Sequence, residues 1–329
     1  MKALVTGATG FIGSAVTLEL LKAGMTVRVL VRENSDTTSI NGLDVDVVVG
    51  DIRDFESMQS ALSGCAVLYH LAALVAKWAP NKTEFYDANV EGTRTALKAA
   101  LKMGTEMVVH TSSIVTIGYH GPACLGTESS QFNLWHTGDH YTRSKYLAEL
   151  EALSICREGL PLVVVNPANV IGVGDIKPTA SGRMIVDFLR RRKPVYVDRG
   201  VNIVDVEDVA RGHILAGQKG KVGERYILGN ENMTLRELFR LLAEVSGVDP
   251  PRFRVPYACA LVAAHASQSI ARVAARRPRH PVSSVRMASS MAYFDVSKAV
   301  NELGLTLTPV RTTLEKVVGW FRQNGYVNS

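Results

Sequence analysis

The chain has 329 residues, enough to bury a large core and to form about two domains. Its net charge of +6 is too modest to argue for a nucleic-acid protein. Cys65, Cys124, Cys156 and Cys259 are widely spaced with no metal-ligand or paired redox motif, so buried thiols in a reducing compartment are the expectation.

Lys2 to Thr6 is short, apolar and β-favouring, as expected of a strand covered on both faces of a parallel sheet. It runs directly into Gly7-Ala8-Thr9-Gly10-Phe11-Ile12-Gly13, a glycine-punctuated helix start of the kind that holds a dinucleotide pyrophosphate. Gly7 would allow the tight turn, Gly10 would let backbone approach the phosphates, and Gly13 would let the helix approach the sheet. The anion would sit on unpaired amide hydrogens, which assigns Thr9, Phe11 and Ile12 to the cofactor together with the three glycines. Because the chain opens on this strand, no signal peptide is expected before the fold, and a cytoplasmic location follows.

The second strand, Thr26 to Val31, ends at Arg32, where an NAD-binding domain would usually place an acidic residue for the adenosine ribose. Arg32 is placed to pair with a 2'-phosphate, so the expectation is NADP(H), with NAD(H) as the alternative that nearby Glu33 and Asp36 keep open. A third strand, Asp44 to Val49, ends in Gly50-Asp51-Ile52, and a fourth, Ala66 to His70, ends in Leu71-Ala72-Ala73. A helix from about 83 to 103 leads to a strand at Glu106 to His110, and another from Tyr141 to Glu158 leads to Leu162 to Val165. This alternation predicts an α/β fold, a Rossmann-type parallel sheet with helices on both faces.

From about Asn169 the elements become mixed. Residues 182–192, 206–216, 235–245, 297–303 and 313–324 read as helical, and 195–197 and 225–228 as extended. The division expected is a dinucleotide-binding domain at 1–168 and a smaller, discontinuous, mainly substrate-binding domain at 169–329, with segments near 201–217 and 225–245 returning to the first. Ligands would lie beyond the carboxyl ends of the parallel strands, beneath the second domain. Arg190, Arg191, Arg192 and Lys193 form one basic cluster, and Arg272, Arg276, Arg277 and Arg279 another. The apolar segment Tyr257 to Ala271 is shorter than a membrane span. It reads as a helix packed within the second domain; a weak membrane-surface association as an interfacial helix is the alternative.

Tyr141 and Lys145 are four residues apart near a predicted helix start, which puts phenol and ammonium on one face. Tyr141 is the candidate proton donor or acceptor, and Lys145 would lower its pKa and hold the nicotinamide ribose. Ser112 and Ser113 emerge at the same carboxyl edge, and Ser113 would hydrogen-bond the substrate oxygen as charge moves through it.

Gly7-x-x-Gly10-x-x-Gly13, Asp51-Ile52, Leu71-Ala72-Ala73, Asp87-Ala-Asn89-Val-Glu-Gly92-Thr93, Thr111-Ser112-Ser113 and Tyr141-Thr-Arg-Ser-Lys145 together resemble the extended short-chain dehydrogenase/reductases, in their epimerase/dehydratase branch, over nearly the full length. The resemblance implies that Asp51 and Ile52 contact adenine, and that Leu71, Ala72 and Ala73 wall the pyrophosphate and nicotinamide ribose. It also implies that Ser113, Tyr141 and Lys145 form the catalytic trio, and that Asn89 organises the backbone of the site. Asn166-Pro167-Ala168-Asn169-Val170-Ile171-Gly172 is similar to the loop that packs against the nicotinamide, which assigns Pro167, Asn169 and Val170 to the cofactor. Its wording is close to dihydroflavonol and cinnamoyl-aldehyde reductases. Residues 179–189, 201–212 and 224–229 resemble hopanoid-associated sugar epimerases. Asp205 and Asp208 fit a helix-start pair, Arg183 and Arg211 are candidates for a substrate diphosphate, and no metal site is expected.

The leading expectation is an NADP(H)-dependent oxidoreductase interconverting a carbonyl and an alcohol. The alternative is an NAD-dependent sugar or nucleotide-sugar epimerase working through a transient ketone, and a non-catalytic dinucleotide-binding sensor or scaffold is a third reading. The long helices after the fourth and fifth strands resemble a family dimer interface, so a homodimer is expected.

Overall fold

A computed structural model describes residues 1–76, 78–121, 124–192, 195–273, 281–287 and 291–327. Lys193, Arg276, Arg277 and Arg279 of the two basic clusters lie outside the described residues.

The first half alternates strand and helix as its pattern predicts: β1 (Lys2–Thr6), α1 (Phe11–Lys22), β2 (Thr26–Val31), β3 (Asp46–Val49), α2 (Phe55–Leu62), β4 (Val67–His70), α3 (Thr83–Tyr86), α4 (Gly92–Lys102), β5 (Met107–Thr111), α5 (His140–Arg157) and β6 (Leu162–Pro167). These are followed by β7 (Asn169–Ile171), α6 (Ala180–Leu189), β8 (Val195–Tyr196), β9 (Gly200–Asp205), α7 (Val206–Lys219), β10 (Arg225–Leu228), β11 (Glu231–Thr234) and α8 (Leu235–Ser246). The last elements are β12 (Phe253–Arg254), α9 (Tyr257–Val273), α10 (Val282–Met287) and α11 (Val310–Gln323).

Seven strands form one parallel sheet in the order β10-β6-β5-β4-β1-β2-β3. Its period-two pattern sends Ala3, Val5, Tyr69 and Val109 to a core beneath α1 and α7, and Leu4, Leu68, Val108 and Val164 to a second core beneath α2, α4 and α5. Helices on both faces of a parallel sheet, with a smaller discontinuous C-terminal part, are the predicted fold class. The late strand β10 joins the edge of the main sheet beside β6. The smaller part holds the sheets β11-β9-β7 and β12-β8, with its own core of Ile185, Phe188, Phe239, Leu242, Leu314 and Phe321.

Caps fix where several helices begin. Asp54 starts α2, Asp139 starts α5 by accepting from Thr142 N, and Thr234 with Glu237 forms a capping box on α8. The helix expected over 83–103 is one continuous rod whose middle, Asp87–Glu91, widens into a π turn between α3 and α4. That turn carries Asn89, which is buried.

Helix α9 departs from the expectation of a helix packed within the second domain. Among its described side chains the buried ones are Ala264 and Ala271, two small residues, and it packs against α10. Most of its remaining surface faces solvent.

Candidate active site

The turn after β1 is closed by the absence of side chains. Gly7 has φ +74°, and a Cβ there would lie 2.7 Å from Ala72 N. A Cβ on Gly13 would lie 2.0 Å from the Gly7 carbonyl oxygen. Gly13 therefore lets α1 approach the turn itself, a closer constraint than the helix-to-sheet contact expected. Gly10 N donates to Gly7 O at 3.0 Å, and Gly10 begins α1 with no side-chain cap. The first-turn amides are left for an anion, so the cradle fits a dinucleotide pyrophosphate. Leu71 N extends the strand by donating to Thr6 O, and Ala72 N donates to Thr6 Oγ1 at 3.3 Å, which brings the Leu71 to Ala73 segment beside the turn. Phe11 and Ile12 pack against the core below.

At the other end of the groove, Arg32, Glu33, Asn34, Gly50 and Asp51 line an open cleft of about 770 Å³ at the ends of β2 and β3. Asp51 is held by Arg53 through bonds of 3.0 Å from Nε and 2.6 Å from Nη2. The Arg53 hydrogen bond is the main cause that lowers the Asp51 carboxyl, and the Arg32 charge adds to it. Ile52 packs against Gly92, where a Cβ would come within 2.7 Å of Ile52 Cδ1.

The third group converges at the carboxyl edge of β5 and the start of α5. Ser113 lies close enough to Tyr141 to act on its phenol, and its Oγ accepts from Val115 N at 3.4 Å, whereas Ser112 is buried with its Oγ 3.5 Å from Thr116 Oγ1. Lys145 Nζ, one turn after Tyr141, donates to the Thr111 carbonyl oxygen at 2.8 Å. Burial pushes the Tyr141 phenol up to about 12, with Ser113 acting in the opposite direction. Burial is thus the larger influence on this phenol, in place of the lowering expected from Lys145. Burial also brings Lys145 down to about 8, opposed by the charge of Glu149. Asn89 accepts from Leu74 N at 2.6 Å and donates to Ser144 Oγ at 2.9 Å, which ties the loop after β4 to α5.

Beneath this edge lies a polar layer that sequence reasoning did not find. Glu149, 2% exposed and one turn beyond Lys145, accepts from Thr116 Oγ1 and Asn166 Nδ2, each at 2.7 Å, and pairs with Arg225 of β10 at 3.0 Å. Arg225 in turn donates to the Glu128 and Ser130 carbonyl oxygens, and the Glu128 carboxylate accepts from Ile227 N at 2.9 Å. Asn166 therefore ties the end of β6 to Glu149 and to the turn after β5. His213 is hydrogen-bonded to Thr111 Oγ1 at 2.9 Å, and the rings of His70 and His110 stack with centroids 5.5 Å apart. Burial, then the Lys145 charge, holds both stacked imidazoles below their ordinary pKa, so they are neutral at physiological pH. Arg199, just before β9, has its charge disfavoured by burial, and Tyr119 feels both Arg199 and Tyr141 electrostatically. The one sequence signal for Glu149 was its four-residue offset from Lys145.

The remaining candidates have these surroundings. Pro167 ends β6, Val170 is buried in β7, and Asn169 Nδ2 donates to Asn202 O at 2.9 Å. Asp205 caps α7 and accepts from Thr313 Oγ1 at 2.8 Å, and Asp208 accepts from Thr308 N at 2.6 Å. Arg211 pairs with Asp208, and Arg183 donates to Pro178 O at 3.1 Å. Among the described residues no group of three His, Cys, Asp or Glu side chains is arranged to hold a metal ion.

Two consequences are measurable. A lysine whose folded pKa is depressed is protonated more readily in the unfolded chain, so stability rises with pH between the folded value near 8 and the ordinary 10.5. Relative to Lys145→Met, the wild type should gain on the order of 2–3 kcal/mol between those pH values in urea titrations. A pH-independent difference would show that the ammonium is not desolvated. Glu149→Gln leaves the Arg225 guanidinium unpaired and should cost about 3 kcal/mol, while Glu149→Gln with Arg225→Met should recover part of that loss. Equal losses in the single and double variants would show that the pair is not coupled.

Residues 3–229 match the NAD dependent epimerase/dehydratase family. The chain is 41% identical to a putative dihydroflavonol 4-reductase of Synechocystis, covering 99% of this chain and 96% of that one. Among solved structures it resembles a nucleoside-diphosphate-sugar epimerase of Pseudomonas aeruginosa at TM-score 0.82 and 26% identity, over 100% and 99% of the two chains. It also resembles a dTDP-glucose 4,6-dehydratase of Streptomyces venezuelae, solved with NAD bound, at TM-score 0.79 and 25% identity over 99% of each chain. The bound NAD corrects the expectation of NADP(H): NAD is the better-supported dinucleotide. The local chemistry agrees, since the Arg32 charge lies in the field of Asp51 and Glu33 lines the same cleft. A carboxylate there suits ribose hydroxyls and repels a 2'-phosphate. With the family matched across both the glycine turn and the Ser113, Tyr141 and Lys145 edge, the chain belongs to the NAD-dependent epimerase/dehydratase family, the extended short-chain dehydrogenase/reductases.

Proposed function

We propose that the protein is an NAD-dependent epimerase that acts on a hydroxyl of a sugar or nucleotide sugar through a transient ketone. The observation that carries this reading is the whole-length correspondence with the nucleoside-diphosphate-sugar epimerase, together with an adenosine end suited to NAD. When bound, NAD supplies a reversible acceptor for the hydrogen of the carbinol carbon. Ser113 Oγ would hold the reacting oxygen, and Tyr141 Oη would exchange its proton. The raised phenol of Tyr141 is a proton donor at neutral pH, the form needed when a ketone is returned to an alcohol. Lys145 would hold the cofactor ribose, and Arg199 would meet an anionic substrate group from the opposite wall.

Inversion needs the ketone to present its other face while the cofactor stays, whereas a net reductase must exchange cofactor every turnover. The second reading is such a net NAD-dependent carbonyl and alcohol oxidoreductase, favoured by the relative named as a dihydroflavonol reductase. Denaturing freshly purified protein and counting the released nucleotide separates them. About one NAD per chain is expected for the epimerase, and an empty site with net NADH turnover would support the oxidoreductase. Tyr141→Phe should keep the nucleotide and lose about 10²- to 10⁴-fold in rate; full activity would remove Tyr141 from proton transfer.

We further propose a homodimer formed through α4 and α5, where Leu150 is exposed. Light scattering should give twice the chain mass, and a monomer at every concentration would contradict it.

A further inference from the structure

Helix α9 turns to solvent a mostly apolar face without Asp, Glu, Lys or Arg up to Ala271. With Ala264 and Ala271 buried, the helical repeat places Ala258, Cys259, Val262, Ala266 and Ile270 on the opposite side, with the exposed His265 and Ser269 as its polar members. Val262 and Ile270 are 71% and 68% exposed. No Asp, Glu, Lys or Arg occurs from Tyr257 to Ala271, although a helix on a water-facing surface ordinarily carries its charges on that side. Immediately before it, on β12, Phe253 is 67% exposed between the exposed Arg252 and Arg254. The charge pattern is equally one-sided. Residues 250–294 contain seven arginines and no acidic residue, so this stretch alone exceeds the whole chain's net charge of +6.

A mostly apolar face bordered in the sequence by arginines, of which Arg252 and Arg254 are exposed, admits three kinds of occupant. A second copy, meeting this face about a two-fold axis, would set arginines against arginines with no carboxylate between them. A nucleic acid would engage the arginines and leave Val262, Ile270 and Phe253 in water. A bilayer with anionic headgroups satisfies both features, because the apolar side chains enter the acyl boundary while the arginines stay among the phosphates. None of the described helices is long and apolar enough to cross a membrane, so the geometry is that of a helix lying on the surface.

We propose that α9, with Phe253, Arg252 and Arg254, docks the protein on an anionic lipid bilayer, the helix lying in the plane of the interface. The position matters for the active site. Helix α10 packs against α9 and also against the turn Trp135–Thr137, which leads through Asp139 into the helix of Tyr141 and Lys145. Trp135 is itself exposed, and an indole suits a lipid-water boundary. Docking would hold the approach to the candidate site close to the membrane, within reach of a substrate carried there.

The full-length protein sedimented with vesicles of mixed phosphatidylglycerol and phosphatidylcholine, or of phosphatidylcholine alone, at about 0.1 M salt tests the proposal. Binding to the anionic vesicles is expected to be at least about tenfold tighter and to weaken as salt rises. Val262→Glu with Ile270→Glu, both at solvent-facing positions, should cut that binding at least about tenfold with unchanged thermal unfolding and NAD binding. Three results would overturn it: no sedimentation with either vesicle, equal sedimentation of the double variant, or a solution dimer that the double variant converts to monomer. Retention on duplex DNA that matches vesicle binding and survives the double variant would equally overturn it, in favour of a polyanion site.

Discussion

A single buried carboxylate holds the parts of the candidate active site in register. Glu149 binds the turn after β5 through Thr116, the end of β6 through Asn166, and β10 through Arg225, while its own helix carries Tyr141 and Lys145. Arg225 passes the connection on to the Glu128 segment, which precedes α5 in the chain. Burying an ion pair gains little in net stability. What this one gains is geometry: removing either partner strands a charge, so the arrangement of four chain segments is difficult to relax. The same carboxylate opposes the loss of charge on Lys145 that burial would otherwise cause.

The opposite end of the groove is organised by absence. Gly7 and Gly13 approach so closely that a methyl at either would meet backbone, and this fixes the N-terminus of α1 above the carboxyl end of β1. Uncapped amides at that point favour negative charge. The distance between this anion cradle and the Tyr141 edge is set by strand order alone, because β1, β4 and β5 are neighbours in a parallel sheet. Sequence-distant groups thus meet at one edge, with Asn89 on its π turn joining the two ends.

What could be read from the chain was local. The glycine turn, the Tyr141 to Lys145 spacing and the alternation of strand and helix each lie within one or two elements, so residue type and period were sufficient. Glu149, Arg225 and the His213 to Thr111 bond were not legible, because their partners are 76 and 102 residues away and only the folded sheet brings them together. Arg32 misled for the same reason. Its position suggested a 2'-phosphate, but the charge it faces, Asp51, comes from the end of a different strand. Helix α9 shows the converse, since apolar composition ordinarily means burial and here, among its described side chains, only Ala264 and Ala271 are buried.

The arrangement of the two ends of the groove is tested most directly by a crystal structure of the protein with NAD bound. The pyrophosphate should lie on the amides of Phe11 to Gly13, the adenosine ribose near Glu33, and the nicotinamide ribose within hydrogen-bonding distance of Tyr141 and Lys145. A dinucleotide whose pyrophosphate avoids the start of α1, or whose nicotinamide lies away from Ser113 and Tyr141, would contradict it.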